Sequence, residues 1–152
     1  LSRIECYDIS NTSGQNATAS MVVLTNGEID KSQYKRFRIK LNKGKPNDFA
    51  MMQEVLTRRL KHAQWPMPDL IIVDGGKGQI SSAVKAIRQF GNLTIPIVGL
   101  AKREETIITE DFREVSLPKS SPALKLVMRI RDEAHRFALR YHRLLRSRAF
   151  FT

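Results

Sequence analysis

The sequence predicts an α/β fold: a mixed sheet, antiparallel in its first three strands and parallel afterwards, flanked by helices. Three observations predict it. Leu70-Ile71-Ile72-Val73 is an apolar run between Pro68 and the pair Gly75-Gly76, as in a short strand buried on both faces in the middle of a sheet. Two earlier strand-like stretches flank Thr25-Asn26-Gly27-Glu28, and Asn-Gly is a strong hairpin signal. The later strand-like stretches are separated by helical ones, which supply the crossovers that parallel strands need.

Residues 2 to 8 alternate, with Ile4, Cys6 and Asp8 on one face and Arg3, Glu5 and Tyr7 on the other, so a strand is expected to close at Asp8. Residues 9 to 16 are polar and turn-rich, a loop. The hairpin strands run over 17–24 and 29–39, and the second carries Lys35, Arg36, Arg38 and Lys40 around Tyr34 and Phe37. Such a strand faces phosphate or is an edge kept soluble by charge. Residues 41 to 46 connect to a helix opened by Asn47-Asp48, with apolar positions 49, 52, 56 and 60, running to about Ala63. Asp48 in the first turn suits the helix dipole. Trp65-Pro66-Met67-Pro68 breaks the helix before the central strand.

The central strand ends on Asp74 and turns through glycines into a helix from Lys77 to about Phe90, with apolar positions 80, 83, 84 and 87. A strand over 95–101, a charged loop at 102–105 and a hairpin over 106–109 and 112–116 follow. Ser120-Ser121-Pro122 starts a long final helix, Pro standing where a first turn tolerates it. Its apolar stripe is 127, 130, 134, 137, 141 and 144, and Arg129, Arg131, Arg136, Arg140, Arg143, Arg146 and Arg148 lie mostly off it. That imbalance fits a phosphate-tracking surface. His135 and His142 share one side, off the stripe; spacing does not choose between them.

Composition narrows the partner. The chain has 26 Lys and Arg against 15 Asp and Glu, a formal charge of +11, which favours nucleic acid over a membrane surface. No apolar run reaches the length of a span. The single Cys6 fits a reducing, cytoplasmic compartment. At 152 residues one domain over 1–152 is expected, cut from a longer multidomain protein.

If the first strand and the central strand are parallel neighbours, Asp8 and Asp74 meet at the carboxyl edge of the sheet, where open α/β folds bind ligands. Two close carboxylates repel unless a cation lies between them, and a hard ion such as Mg2+ or Mn2+ matches oxygen ligands. A carboxylate metal site on a basic protein points to phosphodiester hydrolysis. Taken singly, Asp74 also reads as a turn or helix cap. Lys77 and Gln79, in the glycine-rich turn, are phosphate contacts or parts of a tight turn.

Five motifs then match a known family. Tyr7-Asp8-Ile9-Ser10-Asn11, Pro46-Asn47-Asp48-Phe49-Ala50, Val73-Asp74-Gly75-Gly76-Lys77-Gly78-Gln79, Ser121-Pro122-Ala123-Leu124 and Arg131-Asp132-Glu133-Ala134-His135-Arg136 together resemble the C-terminal endonuclease domain of UvrC, the incision subunit of bacterial nucleotide excision repair. The resemblance implies a ribonuclease-H-like fold that cuts damaged double-stranded DNA on the 5′ side of the lesion. UvrB and the excision repair complex would then be partners through the full-length protein. It places the catalytic set on Asp8, Asp74 and His135, which would also hold the metal, and a further acidic position on Asp48. Arg131, Arg136, Arg140 and Arg143 remain DNA-contact candidates. A non-catalytic DNA-binding module is the alternative. A nucleotide-binding enzyme built on Gly75-Gly76-Lys77-Gly78 is disfavoured, since it lacks the Gly-Lys-Ser/Thr ending and the third glycine of the dinucleotide pattern.

Overall fold

The computed structural model of the chain describes residues 1–10, 17–40, 48–91, 94–101 and 106–151. The described elements are, in order, β1 (Arg3–Ser10), β2 (Thr18–Thr25), β3 (Glu28–Ile29), β4 (Lys35–Arg38), α1 (Asp48–Leu60), β5 (Leu70–Asp74), α2 (Lys77–Phe90), β6 (Ile97–Leu100), β7 (Thr106–Ile108), β8 (Glu114–Ser116) and α3 (Pro122–Phe151). The strands form one sheet in the order β3-β2-β1-β5-β6-β7-β8, with β4 also paired to β2. β2 is antiparallel to β1, and β1, β5 and β6 are parallel. β7 and β8 add an antiparallel hairpin at the far edge. This is the mixed, helix-flanked sheet that the sequence predicts.

β5 lies in the interior of the sheet because its side chains are apolar on both faces. Ile71 and Val73 pack with Met52, Leu56, Ile80 and Ile87 of α1 and α2. Ile72 packs on the opposite face with Val127, Ile130 and Ala134 of α3. Burying each such side chain is worth about 1.5–3 kcal/mol. β1 shows the same division: Tyr7 faces α1 and α2, while Ile4 and Cys6 face α3.

Two expectations about strands are corrected. β1 does not end at Asp8 but pairs with β2 as far as Ser10↔Thr18; only its ladder to β5 stops, at Tyr7↔Val73. The strand expected over 29–39 is broken by a 3-10 turn at Lys31–Gln33. In the turn the backbone bonds are local, Gln33 N–H donating to Asp30 O (3.2 Å) and Tyr34 N–H to Lys31 O (3.2 Å), while the Asp30 carboxylate accepts from Ser32 Oγ (2.6 Å) and Gln33 Nε2 (2.7 Å). The hairpin before it is as expected, with Asn26 and Gly27 at φ 51° and 80°, the left-handed pair of a type I′ turn. The expected loop at 11–16, the connector at 41–46 and the charged loop at 102–105 lie outside the described residues.

α1 is shorter than expected, ending at Leu60, and its stripe includes buried Met51 and Val55, while Phe49 is exposed. A buried ionic cluster ties α1 to β1. Arg59 Nε and Nη2 each donate to Glu5 (2.8 Å to Oε1 and to Oε2), Arg3 Nε donates to Glu5 Oε2 (2.8 Å) and Tyr7 OH to Oε1 (2.6 Å). Glu5 and Arg59 are both fully buried.

α3 starts as predicted. Ser121 O accepts from Lys125 N–H (3.1 Å) and its Oγ from Leu124 N–H (3.4 Å), with Pro122 as the first helical residue. Val127, Ile130 and Ala134 are buried and Phe137 partly so. The side chains of the expected stripe residues Tyr141 and Leu144, and those of His142, Arg146 and Arg148, lie outside what the structure describes. Among the described residues, no helix is long and apolar enough to cross a membrane.

Candidate active site

Register brings the two aspartates together. Tyr7 pairs with Val73, so the next residues of β1 and β5, Asp8 and Asp74, stand side by side at the carboxyl edge. Each lies two residues beyond a side chain that faces α3, Cys6 and Ile72, so both carboxylates point to that face. α3 supplies the third group: Ala134 is buried against the sheet, and His135, the next residue, emerges beside the strand ends. Asp8, Asp74 and His135 each present a ligand atom, all within 4.8 Å of one another. His135 Nε2 is 3.7 Å from Asp8 Oδ2 and in direct hydrogen-bond contact with Asp74 Oδ2.

The electrostatics are those of crowded negative charge. Burial, and then the Asp74 carboxylate, push the Asp8 carboxyl up from its ordinary 3.8 to about 6, with His135 pulling the other way. A divalent cation would relieve that repulsion, and two carboxylates are the donors that Mg2+ or Mn2+ prefers, with imidazole as a possible third. The residues present fit such an ion. Cys6, below them, is fully buried; burial, then Asp74 and Asp8, push its thiol pKa well up, so it stays a neutral thiol.

Beside Asp74, the glycine turn is built by close approach. A Cβ on Gly75 would lie 2.4 Å from Cγ of Gln79, and one on Gly78 would lie 2.1 Å from Cε1 of Phe49. Gln79 therefore folds back over Gly75, with its Oε1 buried and without a hydrogen-bond partner among the described residues. Phe49 docks on Gly78, which explains its place outside the core and brings the start of α1 to the turn. Asp48 is the first residue of α1; its side chain lies outside the described residues. Lys77 is exposed, its Nζ 5.9 Å from the centre of the Phe112 ring.

The arginines divide. Arg131 lies one turn before His135 on the same side of α3, with its Nη2 3.2 Å from Asp132 Oδ1. Arg136 is not brought to the site. Its Nη2 donates to Glu133 Oε2 (3.0 Å), and the same oxygen accepts from Tyr34 OH (2.6 Å), on the side facing β4. Arg140 and Arg143 are exposed farther along α3. The basic residues of β4 lean on aromatics, Arg36 over Phe137 at 4.2 Å and Lys35 over Trp65 at 5.1 Å. These contacts join residues far apart in sequence, and no local pattern announces them.

Comparisons with known proteins bear on the family and the fold. The sequence profile of the UvrC RNAse H endonuclease domain matches residues 1–139. The UvrABC system protein C of Chlorobium phaeobacteroides is 50% identical over 149 residues, covering 95% of this chain and 23% of that protein. That of Methanosphaera stadtmanae is 45% identical over 159 residues, covering 97% and 26%. The chain thus spans about a quarter of the length of these relatives. The crystal structure of human ENDOV is similar in fold alone, with a TM-score of 0.50 at 19% identity, over 86% of this chain and 54% of that one. With the profile matched over nearly its whole length, the chain belongs to the UvrC RNase H endonuclease domain family.

Proposed function

We propose that this protein is a divalent-metal-dependent DNA endonuclease making the 5′ incision beside a lesion in nucleotide excision repair. The observation that carries the reading is the convergence of Asp8, Asp74 and His135 within 4.8 Å on a protein of charge +11. Asp8 and Asp74 would hold Mg2+ or Mn2+. When bound, such an ion supplies charge stabilisation at a phosphodiester and lowers the pKa of an attacking water.

The chain's own residues do the rest. Asp8 and Asp74, fixed by the β1–β5 register, hold their carboxylates at one place on the sheet edge without reorganisation. His135 Nε2, in contact with Asp74, serves either as a further ligand or as the group that gives or takes a proton near the scissile phosphate. Asp48 is proposed as a supporting acid, since the docking of Phe49 on Gly78 carries its backbone to the glycine turn. Lys77, Arg131, Arg140 and Arg143 would bind backbone phosphates, and Gln79 would donate from its amide; Arg136, engaged with Glu133, is a weaker candidate. Damaged double-stranded DNA is the proposed substrate, UvrB and the repair complex the proposed partners, and the cytoplasm the proposed compartment.

The test is incubation with nicked or bubble-containing DNA in Mn2+, in Mg2+ and in chelator, beside Asp74→Asn. Metal-dependent cutting that the variant abolishes is the expected result. Retained DNA binding with no cutting, in the full-length protein together with its repair partners, would point instead to a DNA-holding module.

A further inference from the structure

Phe112 occupies a position where its hairpin turn favours glycine. Thr109 N–H donates to Arg113 O (3.0 Å) and Phe112 N–H to Thr109 O (2.9 Å), the pattern of a three-residue loop whose last member is left-handed. Phe112 takes that conformation at φ 65°. A bulky side chain there is a steric outlier, of the kind that persists at binding sites. Its ring is not core, however; the residue is 43% exposed.

The ring stands beside a line of three cations and a serine. Lys77, Ser81, Lys85 and Arg88 are spaced by four, four and three residues, on one side of α2, with steps of about 4.5–6 Å. All four are exposed. The line starts at the turn that follows Asp74, and its lower part forms with Phe112 an open cavity of about 430 Å3, lined also by Val84 and Glu110. The nearby acids are engaged: Glu110 Oε1 accepts from Ile97 N–H (3.0 Å), and Asp111 pairs with Arg113 (2.8 Å). An exposed aromatic face beside spaced cations is the arrangement that binds a single nucleic acid strand.

We propose that Phe112, Lys85 and Arg88 hold an unpaired DNA strand leading from the candidate active site along α2, one base stacking on the ring and phosphates meeting the two cations. This rests on the nuclease reading only in taking the strand to be DNA.

The test measures binding in chelator, where nothing is cut, of an oligothymidylate and of an abasic oligomer of equal length. Phe112→Gly is expected to weaken oligothymidylate binding roughly 5- to 100-fold, the range for one stacked base, and to leave abasic binding unchanged. Thermal stability should hold or rise, because glycine suits the turn. Phe112→Trp, which keeps an aromatic face, should restore binding. Lys85→Gln with Arg88→Gln should weaken both probes and flatten the salt dependence. Unchanged oligothymidylate binding, or equal loss with both probes, overturns the inference; lower stability with unchanged binding would make Phe112 a packing residue. If the protein never cuts DNA but this pattern holds, the strand site stands and the nuclease reading fails; normal cutting with Phe112→Gly indifferent to both probes removes the strand site alone.

Discussion

Glu5 of β1 and Arg59 of α1 grip one another through two parallel hydrogen bonds of 2.8 Å, both side chains sealed from solvent. Arg3 and Tyr7 share the same carboxylate. Removing one member of such a pair strands the other as a buried charge. Glu5→Gln should therefore destabilise the fold by about 3–5 kcal/mol, measured by denaturant unfolding. A joint apolar replacement, Glu5→Leu with Arg59→Met, should recover much of that loss. A neutral Glu5→Gln would show that the pair is not sealed as described.

Asp8 ties stability to pH, and to metal under the proposed reading of the site. Its folded value of about 6 lies above the ordinary 3.8. Between those values the folded chain keeps a proton that the unfolded chain has lost, so metal-free stability falls as pH rises through the window and the penalty is constant above it. Asp8→Asn removes the penalty and should raise metal-free stability at neutral pH by about 1–3 kcal/mol. Melting in chelator reads this directly. Mn2+ should raise the melting temperature of the wild type and not that of the variant; a variant less stable than wild type in chelator would contradict the account.

His135→Ala should lower the cutting rate by about 10²- to 10⁴-fold if the imidazole moves a proton. Melting across a Mn2+ titration separates its two roles. A ligand's loss weakens the metal-induced shift, whereas loss of a proton donor leaves the shift intact and alters the pH–rate profile. Normal cutting by this variant would exclude His135 from the chemistry.

Gly78→Ala places a methyl group against the Phe49 ring, 2.1 Å from its Cε1. Overpacking of this kind costs about 1–3 kcal/mol. Adding Phe49→Ala should relieve the clash, so a double-mutant cycle is expected to show favourable coupling. Additive losses would mean that the ring and the turn are independent.

Much of this was legible in the sequence, and the reasons are local. The run at 70–73 between Pro68 and Gly75-Gly76 specified a doubly buried strand, and Asn26-Gly27 specified a hairpin, because composition alone decides both. The parallel neighbourhood of β1 and β5 was a conditional inference, realised by the register Tyr7↔Val73. What escaped depended on distance along the chain. Glu5 and Arg59 are 54 residues apart, so alternation within residues 2–8 assigned Glu5 a face and not a partner. Phe49 read as core by helical spacing, yet its neighbour is a glycine in another element. The 3-10 turn at Lys31–Gln33 interrupts an expected strand through local backbone bonds, which hydrophobic patterning does not register. The choice of His135 over His142 came from the motif around it, which spacing alone does not supply.

Asp74 and His135 are 61 residues apart, and Asp8 lies farther upstream still, on a strand that meets β5 only after α1 has been crossed. Local folding therefore produces no part of the triad ahead of time. A nascent chain released before α3 would carry both aspartates without their third member, and one stopped before β5 would carry a solitary carboxylate. Completion of the cluster thus waits on α3: under the proposed nuclease reading, a chain stopped short of that helix would hold the two carboxylates without the imidazole that joins them.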